Sequence, residues 1–525
     1  MRPKIPADSI LRLGDFRQIF LADSISQFGT QILTLALPLV AVVSLDASPL
    51  EVGALSAAES LPYLLASVPA GVWADRVRKR PLLLVTDTAR AVLLLWIPIA
   101  WWTGVLTASQ LIVVAFVFGL LTVLFEVGYA SYVPSLVPRE RLIDANTRLQ
   151  VVQSVAQAAG PGIGGALVQA LAAPVAVLVS IGGYLWSAAC VLLVRGREPV
   201  PVRADGEAAS WRRDAAEGLR AVLGDVLLRR TSLSTACFNL FWSMGTPMIP
   251  VLLAGQLGLG AGVIGLLLTF EGVGGLLGGV LAAKVARRLG HGPAIWTATL
   301  VAGSGFTLVP LVDTGWRLPL VSLGLFVSST GMVVYNVIVV TFRQSITPDR
   351  LLGRVSAFNR LLVWSTLPLG AVLGGLLGQL LGARTTLWIA GIATTLSFLW
   401  IYCSPLRTLR DIPEGYVLGG SLPGAAPQPK ADAEKSTDVG ARAPVNGGIR
   451  VPVNDEIRAP LNGGIHEPGN GDIHEPGNGD IHEPGNGREH PTADAGARET
   501  VARTARETGG AGAGAPAATD RTESA

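Results

Sequence analysis

Apolar residues in this 525-residue chain gather into long runs. "LIVVAFVFGLLTVLF" (111–125) and "VAVLVSIGGYLWSAACVLLV" (175–194) approach or reach the ~20 apolar residues needed to cross a bilayer. Lipid offers backbone groups no partner, so each such run is a helix. The pattern predicts twelve spans, at about 16–43, 51–74, 82–103, 108–136, 142–171, 174–194, 231–255, 261–286, 293–312, 317–342, 355–382 and 385–403.

Polar positions between the runs set the orientation. Lys and Arg fall in alternate loops: Arg2, Lys4, Arg12 and Arg17; then Arg76, Arg78, Lys79 and Arg80; Arg139 and Arg141; the arginine-rich stretch 195–230; Lys284, Arg287 and Arg288; and Arg343, Arg350 and Arg354. The other loops hold only Arg317 and Arg384. The positive-inside bias therefore places both termini in the cytoplasm, as an even number of spans requires. A multi-pass protein of the cell membrane is expected.

Composition agrees. Half the residues are hydrophobic and 15% are charged, against about 25% in soluble domains. The net charge of +3 matters less than its placement. "MRPKIPADSILRLGDF" lacks the apolar stretch and small-residue site of a cleavable signal. Cys190, Cys237 and Cys403 are dispersed in apolar runs, which predicts small apolar residues rather than disulfides or a metal site. With no nucleophile–base pairing, metal cluster or phosphate-binding loop, neither an enzyme nor an ATP-driven pump is expected, and no cofactor.

The two sides of the 195–230 connection repeat each other. "SLVPRERL" and "GGALVQAL" return as "SITPDRLL" and "GGLLGQLL": Pro138 pairs with Pro348, Gly165 with Gly375 and Gln169 with Gln379, each 210 residues apart. Gly53 pairs with Gly265 and Glu59 with Glu271, each 212 apart. The expected fold is an all-α membrane protein of twelve transmembrane helices in two six-helix pseudo-repeats, a layout suited to rocking halves with substrate between them. Its expected divisions are 1–194, the cytoplasmic connection 195–230, 231–410, and a disordered cytoplasmic tail 411–525.

"GVWADRVRKR" (71–80) sets a dense charge cluster between two apolar runs. Here the chain resembles the major facilitator superfamily, whose motif between helices two and three has the form G-x-x-x-D-R-x-G-R-R. Gly71, Asp75, Arg76, Lys79 and Arg80 match it, while Arg78 replaces a glycine. The resemblance implies that Asp75 meets the N-terminal end of the eleventh helix, where the helix dipole favours an anion, and shuts the cytoplasmic side. It also implies that Arg76 is held by a nearby acid, for which Glu126 is the candidate. The plainer alternative is a positive loop containing one acid. "AAGPGIGG" supplies Gly160, Pro161, Gly164 and Gly165, which resemble the core of a fifth-helix motif associated with antiporters; Ala156 replaces a glycine of the fuller pattern. That core makes a kinked, small-faced helix that a neighbour can approach closely. "FEVGYASYVPSLVPRERLIDAN" and "RQSITPDRLLGRVSAFNRLLVWSTLPLGAVLGG" are similar to the bacterial branch that includes macrolide-efflux proteins and enterobactin exporters.

Ionisable residues within membrane spans are costly, so each is a functional candidate. Glu59, its repeat partner Glu271, and Asp23 are the proton-coupling candidates; a hydrogen-bonded structural role is the alternative for each. Asp87 and Arg90 read as a structural pair on one helix face, and Arg148 is expected to pair with an acid of a neighbouring helix. Gln27, Tyr63, Asn239, Trp242, Phe270 and Asn336 are the substrate-cavity candidates.

From residue 443 an octapeptide repeat carries Pro, Asn and Gly in phase and brings His466, His474, His482 and His490. Such turn-rich composition opposes a packed core, and the wide histidine spacing argues against a zinc site. The expected function is proton-coupled export of amphipathic small molecules. A siderophore exporter, a nutrient importer and a non-transporting membrane sensor or scaffold are the alternatives. The expected partners are the small-molecule substrate, protons and membrane lipid, with no nucleic acid, and the chain is expected to act as a monomer.

Overall fold

A computed structural model describes residues 10–196, 211–410 and 416. The octapeptide repeats, their four histidines and most of the tail lie outside the described residues, as does the first part of the central connection. No strand occurs among the described residues. Ten of their helices are long and apolar enough to cross a membrane: α1 (Gly14–Ser44), α3 (Lys79–Trp102), α4 (Ala108–Leu136), α6 (Ala173–Leu193), α8 (Val226–Gln256), α9 (Ala261–Leu289), α10 (His291–Leu311), α11 (Pro319–Ile346), α12 (Asp349–Leu381) and α13 (Ala383–Tyr402). Two more, α2 (Pro49–Arg76) and α5 (Leu142–Leu171), are as long but more polar. The short helix α7 (Trp211–Gly224) precedes α8.

Local chemistry sets the helix starts. Ser48 caps α2 in a reciprocal box with Glu51, whose Oε2 accepts from the Ser48 backbone N–H at 2.8 Å. Thr107 and Gln110 do the same for α4. Asp225 Oδ1 accepts from the Leu227 and Leu228 N–H groups, both at 2.9 Å, so α8 begins ahead of the run expected at 231. The tight α5–α6 and α12–α13 turns pivot on Ala172 (φ 67°, ψ 152°) and Gly382 (φ 84°, ψ 154°). These positions are 210 residues apart, the spacing of the sequence repeat.

Helices α1–α6 pack among themselves, as do α8–α13; α2 against α12 and α5 against α9 join the two groups. At the end away from the described chain ends, Ile10 and Arg410, one apolar core runs through both groups, from Leu33, Val52 and Leu94 to Leu252, Phe306 and Leu387. At the terminus-bearing end the core is divided. Phe342, Ile338 and Leu228 pack within the second group, while Tyr132 and Leu83, and separately Phe16 and Val137, pack within the first. The groups are therefore sealed together at one end only.

Candidate functional site

Two glycine crossings make that seal. A Cβ added to Gly53 of α2 would lie 2.6 Å from the Ala371 carbonyl oxygen and 2.6 Å from Gly375 Cα of α12. One added to Gly165 of α5 would lie 2.5 Å from the Ala261 oxygen and 2.8 Å from Gly265 Cα of α9. Only glycine lets these backbones approach so closely. In the antiporter-like motif, Gly160 and Gly164 instead face α1, at Gln31 and Ile32. Farther along, α5 and α9 still touch at Ala158 and Gly272. They then part around an open cavity of about 480 Å³ lined by Asn146, Gln150, Ser154 and Val155 of α5 and Leu276 of α9.

Within the first group a cavity of about 170 Å³ is lined by Thr30 and Thr34 of α1, Glu59 and Tyr63 of α2, and Phe118 and Thr122 of α4. Glu59 is half-buried there, and among the described residues its carboxyl has no hydrogen-bond or ion-pair partner. Glu271 is half-buried on α9, likewise without such a partner among the described residues. Asp23 is buried on α1, accepts from Gln27 Nε2 at 3.3 Å and lies beside the Tyr129 hydroxyl.

Tyr63 joins features that the sequence left separate. Its hydroxyl donates to Glu126 Oε1 at 2.8 Å, and its ring stacks on Trp364 of α12 with centroids 4.2 Å apart and planes 7° apart. This corrects the placement of Glu126. It sits ten residues before the end of α4, bonded to Tyr63 thirteen residues before Arg76 on α2, and not at a helix end beside Arg76. Asp87 and Arg90 do pair, both buried, and the Arg90 guanidinium lies 4.1 Å from the Phe125 ring centroid and 4.7 Å from that of Tyr184. Arg148 pairs with Asp144 of its own helix at 2.9 Å, so the expected partner on a neighbouring helix is also corrected.

The other candidates are scattered. Asn239 is half-buried and donates to its own helix at Thr235. Trp242 is 9% exposed and packs against Phe238 and Phe306 within the second group, so it fills the core rather than a cavity wall. Phe270 (43% exposed) and Asn336 are on open faces of α9 and α11. In the charged loop, Lys79 Nζ reaches the Ala74 and Val77 carbonyls, and Arg80 caps the end of α6 through Val191 and Leu192 at 3.2 and 2.8 Å. Gly71 and Arg76 belong to α2, as does the Asp75 backbone; the Asp75 side chain lies outside the described residues. Sequence reasoning missed Trp364. Its only local signal was an aromatic residue on a helix otherwise rich in Leu and Gly.

Solved structures share this arrangement. A bacterial homologue of the iron transporter ferroportin, in an inward-facing state, covers 75% of this chain and 99% of its own at 17% identity, with a TM-score of 0.60. A bacterial homologue of the human lysosomal transporter Spinster, inward-facing and unoccupied, covers 78% and 100% at 15% identity, with a TM-score of 0.59. Among sequence relatives, the uncharacterized MFS-type transporter y4rN of Sinorhizobium fredii is 28% identical over 71% of this chain and 91% of its own length. The multidrug efflux pump Tap of Mycolicibacterium fortuitum is 24% identical over 66% and 85%. The Major Facilitator Superfamily profile matches residues 19–367 and 231–415. With most of its length matched in this way, the chain is a membrane transporter protein, not an enzyme, and belongs to the Major Facilitator Superfamily.

Proposed function

We propose that the protein is a proton-coupled antiporter of the cell membrane that exports amphipathic small molecules such as drugs, antibiotics or secondary metabolites. Its twelve spans would form two six-helix repeats, 1–194 and 231–410, joined by 195–230. Both termini would be cytoplasmic, with the tail from 411 unnecessary for transport. In that orientation the structure corresponds to the inward-open state, sealed outside by the two glycine crossings. Asp75 would stabilise the opposite, inward-closed state.

The observation that carries the reading is Glu59. It is a carboxyl without a partner among the described residues, set against threonine and aromatic side chains in a cavity deep within a membrane helix. An acid that costly is retained where its proton is exchanged. The similarity to the efflux pump Tap supports export. Glu59→Gln keeps the shape and removes the titrating group, so it should abolish pH-gradient-driven drug uptake into inverted vesicles while leaving drug binding intact. Normal pumping by Glu59→Gln with failure of Glu271→Gln or Asp23→Asn would move the coupling acid; normal pumping by all three would end the proton-coupling reading.

A further inference from the structure

The mid-depth charges are unevenly divided. Asp23, Glu59, Asp87, Arg90 and Glu126 lie in the first group of helices, and in the second the corresponding depth holds Glu271 and Arg360. A change of protonation in the first group must therefore reach the second for the halves to rock. Helix α2 meets α12 over a long antiparallel contact. Near the sealed end that contact is bare backbone, at Gly53 and Gly375. Ten residues along α2, or ~15 Å of helix rise, it becomes the Tyr63–Trp364 ring stack. Backbone against backbone carries no titratable information. The stack does, because one of its rings is tied to an acid.

Glu126 is accessible at the protein surface, and its link to Tyr63 ties it to the α2–α12 contact. It can thus exchange protons with water entering at the divided end. The groups facing it are Tyr63 from α2 and Arg90 from α3, the latter paired with Asp87. Tyr184 of α6 shares the Arg90 guanidinium with Phe125. Arg360 is on α12, one turn from Trp364. Arg90 is held by Asp87 and two rings, so its positive charge acts on Glu126 from a fixed position.

We infer that Glu126, Tyr63 and Trp364 form a relay, resting on the transporter reading above, in which the charge of Glu126 sets the contact between the two helix groups. Ionised Glu126 accepts the Tyr63 hydroxyl bond and holds the ring flat against Trp364. Protonated Glu126 is a weaker acceptor, so Tyr63 is freed and α12 can move along α2. Tyr63 and Trp364 are positioning residues in this scheme, and the proton that Glu126 takes up sets the contact, in addition to the one that Glu59 exchanges for substrate.

The test needs no substrate. Full-length protein labelled with 5-fluorotryptophan and placed in lipid nanodiscs gives one fluorine resonance per tryptophan, and the one absent from Trp364→Phe is that of Trp364. Stacking on Tyr63 displaces this resonance by ring current, so it should titrate with pH in the wild type. It should be flat in Glu126→Gln. In Tyr63→Phe, which has no hydroxyl for Glu126 to hold, it should rest at the low-pH wild-type position and lose its titration, which also serves if Glu126→Gln fails to fold. A wild-type resonance that does not titrate, or that titrates unchanged in either variant, overturns the relay.

A transport arm separates this inference from the proposed function. With ethidium as the probe, Tyr63→Phe should lower pH-driven uptake into inverted vesicles by about 5- to 150-fold, the range of typical coupling between sites. Ethidium binding should change less than about twofold on the same scale. A titrating Trp364 resonance with no pH-driven transport by the wild type would leave the relay standing and sink proton-coupled export. Pumping by the wild type with a flat resonance would do the reverse.

Discussion

The tightest inter-group contact offers the sharpest perturbation. Gly53→Ala adds one methyl group at the α2–α12 crossing, 2.6 Å from the Ala371 oxygen and from Gly375 Cα and 2.8 Å from Gly375 N. All three obstacles are backbone atoms of a helix, so no rotamer change relieves the overlap. Relaxed carbon contacts are about 3.5 Å or longer, so the helices must part by roughly 0.9 Å at this point. Overpacking of this kind costs about 1–3 kcal/mol. The cost is borne only while the end away from the termini is sealed, because the crossing is broken when that end opens. The substitution should therefore move the population toward the state open at that end by about 5- to 150-fold.

The assay is labelling of a cavity cysteine. In a chain with its three native cysteines replaced by alanine, Thr34→Cys sits on the cavity wall. An impermeant maleimide applied from the face away from the termini should label it slowly in the parent and about 5- to 150-fold faster with Gly53→Ala. Labelling from the terminus-bearing face should fall correspondingly. An unchanged ratio between the two faces, in a protein that inserts and purifies normally, would refute the claim that this crossing is the seal.

Three further outcomes follow from single contacts. Ala172 holds a backbone conformation (φ 67°, ψ 152°) that is open to glycine and costs other residues about 1–3 kcal/mol, so Ala172→Gly should raise thermal stability by about 1 kcal/mol after the entropy glycine adds to the unfolded chain; a lower melting temperature would contradict it. Arg90→Leu leaves the buried Asp87 carboxyl unpaired, which should cost about 3–5 kcal/mol and be read as lost folded protein, with Asp87→Asn/Arg90→Leu recovering part of it; equal yields of single and double variants would contradict it. Outside the membrane spans, the Tyr416 hydroxyl donates to Asp225 Oδ2 at the start of α8, and burial together with that carboxylate raises the phenol from its usual 10.0. A raised phenol stabilises the fold fully below pH 10 and loses that effect only as pH climbs beyond it, so Tyr416→Phe should cost about 1 kcal/mol independently of pH between neutrality and about pH 9, and a pH-dependent loss in that range would contradict it.

The helices were legible because lipid imposes a length and a polarity that local composition must meet. The two long helices that fall short of that polarity, α2 and α5, carry the charged loop, Glu59 and the glycine–proline core. Asn146, Gln150 and Ser154, which weaken the membrane signal of α5, are among the residues that line the open cavity between α5 and α9. Glu126 was misread for a related reason. The expected span 108–136 matches α4, but its unbroken apolar run stops at Phe125, which made Glu126 look like a helix-end residue, whereas it stands ten residues inside the helix and bonds Tyr63. Helix α7 was read as linker: its 14 residues are too few to span lipid, and it packs on α8 and on α12, where Gly218 meets Arg354 and Glu217 pairs with that arginine. Trp364 was invisible because its partner Tyr63 lies on a helix of the other group, and no local periodicity records such a pairing.

One long-range contact, however, was implied by the repeat. The spacing pairs Gly53 with Gly265 and Gly165 with Gly375. Applied to the crossing of Gly53 with Gly375, it predicts a crossing of Gly265 with Gly165, which is the other contact observed. The agreement extends to the obstacles. A methyl on Gly53 meets the oxygen of Ala371, four residues before Gly375; one on Gly265 meets the oxygen of Pro161, four before Gly165. The two crossings are therefore one contact made twice, and Gly265→Ala should shift the labelling ratio by about the same factor as Gly53→Ala. Because both crossings seal the same end, opening either opens both. The double substitution should then accelerate labelling only until the parent closed state is emptied, and should not multiply the two effects without limit. The repeat pairs the acids Glu59 and Glu271 in sequence but not in their surroundings. Glu59 faces a cavity walled by threonines and rings, whereas Glu271 follows Phe270 on an open stretch of α9 next to the Ala158 contact. A symmetric seal with an asymmetric set of acids is what a rocking transporter requires if protonation in one half is to drive both.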